Sequence, residues 1–131
     1  MTVFLDTGYF VAFLVPRDQW FQKAVHAART DFRAVTSSLV VNETVSLLQA
    51  RGLLSTALAW LSGIRADPKT LIIYLDAALQ VESWGLFHRY AGSGANAIDC
   101  TSFAVMRSLS IKQAFTFDQH FREFSNVVVI P

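Results

Sequence analysis

The chain has little cysteine, little charge and no long apolar run. Cys100 is the one cysteine among 131 residues. It cannot pair within the chain and matches no zinc-ligand spacing, which excludes an internal disulfide framework and a cysteine-based zinc site. It reads as a small packed apolar residue in a reducing setting. The longest apolar runs, such as "FVAFLV" at 10–15, fall far short of the roughly 20 residues of a membrane span. The start, "MTVFLDTG", has no basic leader and reaches an acid at position 6, which argues against a secretory signal. A cytoplasmic protein with no membrane segment is expected. Repeats, low-complexity tracts and dividing linkers are also missing. Residues 1–131 are therefore expected to fold as a single domain, long enough to bury a core without staples.

Charged residues make up 16% of the chain and hydrophobic ones 53%, against a usual charged share of about 25%. That excess of apolar residues implies an oligomer or partner surface beyond the core. The net charge of +1 gives no bulk basic signal for nucleic acid. The balance changes if Asp6, Glu43, Asp99 and Asp118 belong to one metal site. Of ten acids, six then remain against eleven bases, an excess of +5 on the rest of the chain, a sign suited to phosphates.

Short apolar runs alternate with longer segments of helical period. The runs at 2–6, 34–38, 70–76, 114–117 and 127–130 predict five strands. Most lack in/out alternation, as strands of a parallel sheet covered on both faces do. Helices are predicted at 8–14, 18–31, 38–50, 53–65, 77–90, 97–109 and 118–124. The alternation implies an α/β domain with right-handed crossovers. Gly52 separates two helices, "DP" at 67–68 blocks continuation, and "GSGAN" at 92–96 predicts a flexible joint. Ser38 and Asp76 are predicted N-caps.

Four acids draw attention, each with an ordinary alternative. Asp6 closes the first strand and is placed to cap the next helix. Asp118, in "FTFDQHF", stands at the end of the fourth strand. Glu43 shares a helix face with Leu39 and Leu47, where a carboxylate is costly without a cation or an arginine. Asp99 stands one turn from Phe103 and two from Met106, and would also fit a capping box with Asn96. One explanation covers all four. In open parallel sheets the strand C-termini form the ligand crevice, deepest where strand order reverses. Acids gathered there would repel one another unless cations neutralised them. Ligation by oxygen alone points to Mg²⁺ or Mn²⁺. His26, His88 and His120 show no ligand spacing and are expected to face solvent or phosphate.

In their order and spacing, "FLDTGYFVAFL", "NETVSLL", "AIDCTSFAVM" and "AFTFDQHF" resemble the PIN-domain family, especially the short VapC-type ribonucleases of bacterial and archaeal toxin–antitoxin pairs. The resemblance spans essentially the whole chain. It implies a three-layer α/β/α domain with a five-stranded parallel sheet of order 3-2-1-4-5, in which Asp6 and Asp118 emerge side by side. Glu43 and Asp99 match the family's other acidic positions, with Asp6 and Asp99 as the most direct metal ligands. Thr116 matches a supporting hydroxyl, and Thr7 is a second candidate for that role. The chain departs from many relatives before "DC", where "AGSGANAID" lacks the usual charged residues; Arg89 and His88 lie upstream as substitutes. The resemblance also implies a homodimer and an antitoxin whose tail lies in an apolar groove, surfaces that Trp20, Trp60, Trp84 and the phenylalanines are suited to line.

The implied activity is a Mg²⁺- or Mn²⁺-dependent endoribonuclease, with water as the nucleophile and no covalent intermediate. Arg17, Lys23, Arg51 and Lys112 are candidates for holding the RNA backbone. A receiver-like phospho-switch would need an adjacent acidic pair after the first strand and a later lysine, whereas Thr7 follows Asp6 and no lysine follows Lys112. A haloacid-dehalogenase-type phosphatase would need an aspartate at position 8, which is Gly8. A catalytically inert PIN-like binding module is the remaining rival, and Mn²⁺ titration discriminates it.

Overall fold

The computed structural model describes residues 1–124 and, as backbone, 128–130. In chain order the elements are β1 (Thr2–Leu5), α1 (Thr7–Leu14), α2 (Phe21–Ala28), β2 (Arg33–Ser37), α3 (Ser38–Ala50), α4 (Leu54–Ala66), β3 (Thr70–Ile73), α5 (Ala77–Tyr90), a 3-10 turn (Ala91–Ser93), α6 (Ala97–Ser108), β4 (Gln113–Phe115), α7 (His120–Glu123) and β5 (Val128–Ile130). The expected α/β alternation with a parallel sheet is present.

All strand pairings are parallel, and the order is β3-β2-β1-β4-β5. β1 lies at the centre, with Phe4 registered against both Val35 of β2 and Ala114 of β4. The chain moves outward on one side through β2 and β3, then returns past β1 to β4, so strand order reverses between β1 and β4. Val3, Phe4 and Leu5 are all buried, which successive strand residues achieve only when both sheet faces are covered. One face meets α6 and α7, where Phe4 stacks on Phe121 and Phe103 packs against Phe121 and Phe124. The other meets α1, where Tyr9 packs on Phe115 at 5.2 Å. Cys100 is fully buried, as expected of a packing residue.

Several boundaries differ from the sequence reading for local reasons. Ser37, not Ser38, caps α3: its Oγ accepts the Val40 N–H at 3.1 Å. β2 therefore passes into α3 without a loop. Asp76 caps α5 as expected, accepting from Leu79 N–H at 2.8 Å. α2 begins at Phe21 rather than 18 because the Asp18 carboxylate takes the Trp20 N–H at 2.8 Å, holding 18–20 in a turn. β3 stops at Ile73 and β4 at Phe115. Val127, the first residue of the last predicted strand, lies outside the described residues. Gly52 ends α3 with φ +77°, and Leu53 N–H reaches back to Leu48 C=O at 2.9 Å, a Schellman closure that favours glycine. The stretch 92–96 is not a loose joint. It completes a 3-10 turn, with Gly94 at φ +104°.

Candidate active site

The parallel sheet delivers its strand C-termini to one edge, and the reversal between β1 and β4 opens a crevice there. A cleft of about 380 Å³ at this edge is lined by Asp6, Glu43, Asp99 and Asp118, together with Thr7, Trp20, Arg51 and Phe117. Each acid arrives on a different element.

Asp6 directly follows β1 and occupies the N-cap position of α1, but its side chain makes no capping hydrogen bond to that helix. The capping alternative therefore fails in its usual form. Instead Thr116 Oγ1 donates to Asp6 Oδ2 at 2.7 Å, and the same hydroxyl accepts the Asp118 N–H at 3.0 Å. One buried threonine thus joins the acid after β1 to the backbone after β4. Asp6 is itself buried. Loss of water pushes its pKa up to about 7, with the Thr116 bond acting the other way and the charges of Asp99 and Asp118 adding to the rise.

Asp99 does two things at once. It forms the capping box, accepting the Asn96 N–H at 3.0 Å while Asn96 Oδ1 accepts the Asp99 N–H at 2.8 Å. The ordinary alternative is therefore real, yet the same carboxylate lines the cleft. Burial raises its pKa to about 6, opposed by the Asn96 bond. Asp118 and Glu43 push it further upward and His120 pulls it down.

Glu43 stands differently from its sequence reading. The face it shares with Leu39 and Leu47 is not buried, since Leu47 is 40% exposed, and α3 packs inward through Val40, Val41, Thr44 and Leu48. Its carboxylate is half-exposed and reaches the cleft rim. Among the described residues it has no ion pair, so the arginine alternative is not met.

The sequence reading missed His120, which it sent to solvent or phosphate. Asp118 Oδ1 accepts both the His120 backbone N–H at 2.9 Å and Nδ1 at 2.7 Å. On the ring's other side, a Cβ added to Gly94 would lie 2.8 Å from Nε2. Gly94 is needed twice, for its left-handed backbone and for the space the imidazole fills. Ligand atoms of Asp99, Asp118 and His120 lie within 4.8 Å of one another. With Nδ1 engaged by Asp118 and Nε2 against backbone, the ring is better placed to hold Asp118 than to ligate. The donors left for a cation are carboxylate oxygens, the set that suits Mg²⁺ or Mn²⁺. The Thr7 hydroxyl, on the cleft wall, is buried with no hydrogen-bond partner among the described residues. An unpartnered hydroxyl beside unneutralised acids fits a site built around a polar guest.

The four basic candidates divide. Arg51 lines the cleft, and Lys23 sits over the Trp20 ring at its rim. Arg17 is exposed on the α1–α2 loop. Lys112 precedes β4 and so stands at the opposite end of that strand from the acids. Arg89 lies over Tyr90 and lines a different hollow, one shared with Lys112. His88 is exposed on α5.

Fold and cleft together define a doubly wound α/β domain with an acidic site at its switch point. The PIN domain model matches residues 3–127. The chain is 30% identical over 131 residues to the 23S rRNA-specific endonuclease VapC20 of Mycobacterium tuberculosis, with 98% of each covered. The crystal structure of VapC20, described as a Sarcin-Ricin loop cleaving toxin, superposes with a TM-score of 0.89 at 30% identity, covering 98% of this chain and 99% of that one. VapBC2 of Rickettsia felis, solved bound to a DNA fragment from their promoter, shares the fold with a TM-score of 0.71 at 14% identity, covering 98% and 97%. The chain belongs to the PIN-domain family.

The raised carboxyls give stability a definite sign. The folded metal-free chain holds protons at Asp6 and Asp99 that the unfolded chain has released, so the stability these two acids contribute is fully present only below the unfolded carboxylate range. It falls as pH rises through about 6 and about 7. The melting temperature in EDTA is therefore higher at pH 5 than at pH 8, and Asp6→Asn flattens the fall. A melting temperature that climbs across that window contradicts this description of the site.

Proposed function

We propose that the chain is a divalent-cation-dependent endoribonuclease, acting as the toxin of a VapBC-type pair. The observation that carries the reading is the convergence of Asp6, Glu43, Asp99 and Asp118 on one cleft at the sheet's switch point. The likeness to VapC20, named as an endonuclease, supports RNA as the substrate. Residues 1–131 act as one PIN-like domain in this reading, and the cytoplasm is where its RNA is met.

In this reading Asp6, Asp99, Asp118 and Glu43 hold the Mg²⁺ or Mn²⁺. When bound, the cation supplies positive charge that polarises a phosphate and makes water a better nucleophile near neutral pH. The protein's own groups do the positioning. Thr116 fixes Asp6 through Oδ2, Asn96 fixes Asp99 through Oδ2, and His120 fixes Asp118 through Oδ1. Each of the three carboxylates is thus held at one oxygen by a fixed donor. Arg51, at the cleft wall, is placed to meet phosphate.

Two apolar surfaces suit the partners. A groove of about 360 Å³ between α1, α2 and α4, lined by Tyr9, Phe10, Phe13, Phe32, Trp60 and Ile64, suits the apolar part of an antitoxin tail. Val81, Trp84 and Phe87 on α5 are 64%, 57% and 39% exposed, and Leu54 and Leu58 on α4 are 50% and 58% exposed. Side chains of this kind on open helix faces suit a second copy of the chain. Among the described residues no helix is long and apolar enough to cross a membrane.

Asp6→Asn and Asp99→Asn each lower Mg²⁺-dependent cleavage of RNA by about 10³-fold or more while leaving the circular dichroism spectrum unchanged. Asp99→Asn keeps a side-chain oxygen for the Asn96 N–H, so a lost α6 does not account for the loss. Cleavage that survives both changes, or persists in EDTA, refutes the mechanism. In sedimentation equilibrium the native chain is dimeric at micromolar concentration and Trp84→Glu shifts it to monomer; a monomeric native chain refutes the assigned interface.

A further inference from the structure

We infer that Trp20, backed by Phe117, is a stacking platform for an unpaired RNA base next to the scissile phosphate. The inference rests on the nuclease reading and adds a base-binding subsite to it.

The two rings lie nearly parallel, with centroids 5.1 Å apart and planes 7° apart, and both line the cleft that holds the four acids. Phe117 stands between Thr116 and Asp118, the two residues tied to Asp6 through the Thr116 hydroxyl. The platform is therefore anchored in the acid network rather than resting beside it. Trp20 is anchored from the other side, where its backbone N–H donates to Asp18 Oδ1. A fixed flat surface loses little entropy when a base settles on it.

Tyr74, Trp84, Phe13 and Phe87 are more exposed than Trp20, but they lie outside the cleft; of the two rings that line it, Phe117 is half-buried and Trp20 keeps 36% of its surface open. Charge then selects the guest. The Lys23 ammonium stands 5.2 Å from the indole centroid, and Arg51 lines the same cleft. Lysine on a flexible stem can exchange the ring for a neighbouring phosphate, leaving the indole to a base. Aromatic surface flanked by cations is the composition that binds single-stranded nucleic acid, and stacking of this kind accepts any base because every base has a π-face. A base must leave its helix to reach the ring, so the subsite selects loops, bulges and ends over duplex. A protein partner bearing an aromatic or basic side chain is the competing occupant.

The test uses a fluorescein-labelled 12-nucleotide single-stranded RNA and an abasic oligonucleotide of the same length. Binding is followed by anisotropy with Mg²⁺ in the Asp6→Asn chain. Trp20→Leu in that background, apolar but without a π-face, weakens binding of the base-bearing RNA roughly 5- to 150-fold. Trp20→Phe stays within about 3-fold of the parent, and the abasic strand binds all three alike. The inference is overturned if Trp20→Leu binds the RNA as tightly as the parent, or if it loses the abasic strand to the same extent. It is also overturned if only capture of a co-expressed protein partner depends on Trp20. Base-dependent binding through Trp20 without cleavage by the native chain removes the nuclease reading and with it the placement beside a scissile phosphate, and leaves only the base-stacking role of Trp20. Failure of the native chain to bind either oligonucleotide removes the subsite, while cleavage of longer RNA would still support the nuclease.

Discussion

Carboxylates crowded at one edge of a parallel sheet repel one another, and much of this structure is what keeps them there. Two unit charges about 5 Å apart repel by roughly 3 kcal/mol at an effective dielectric near 20. Full burial of one large apolar side chain contributes at most about 3 kcal/mol. One such ionised pair therefore offsets the packing of about one core residue. Burial is the main reason that Asp6 and Asp99 are displaced upward toward neutrality, and the repulsion among the acids adds to it. A bound cation would relieve the repulsion among them more completely than protons do.

The scaffold answers that repulsion with fixed donors. Thr116, Asn96 and His120 each hold one carboxylate, and each is set by an element that is itself well packed. Thr116 is fully buried directly after β4. Asn96 opens α6, which is held through Phe103 in an aromatic cluster with Tyr90, Phe121 and Phe124. The His120 ring fits against Gly94, so the turn before α6 and the turn after β4 are joined across the site. Coupling between core and cleft is direct. Loosening α6 would move Asp99, Asn96 and the wall that confines His120 together.

The strand-like runs and helical periods were legible because burial on both sheet faces leaves a plain signature, as in "TVFLD". The acids were legible only as a set. Asp99 shows why: its capping box is present, so a cap and a cleft acid cannot be told apart by local spacing. Glu43 was found by an argument that the structure corrects, because its neighbours Leu39 and Leu47 do not form a buried stripe. His120 was missed because its partner, Gly94, is 26 positions away, and a glycine in "GSGAN" reads as flexibility until the side chain filling its space is known. The signal was the pairing of His120 with Asp118 two residues earlier, where a short loop returns the ring to its own acid. Trp20 likewise read as one aromatic among many, since stacking on Phe117 is a long-range fact.

Isothermal titration of Mn²⁺ into the metal-free chain at pH 6.5, in buffers of different ionisation enthalpy, tests whether the gathered acids form a cation site. The expected result is binding that releases protons from carboxyls held partly neutral, with both the affinity and the release reduced in Asp6→Asn and Asp99→Asn. Absence of binding, or binding with no proton release and no dependence on either residue, would contradict it.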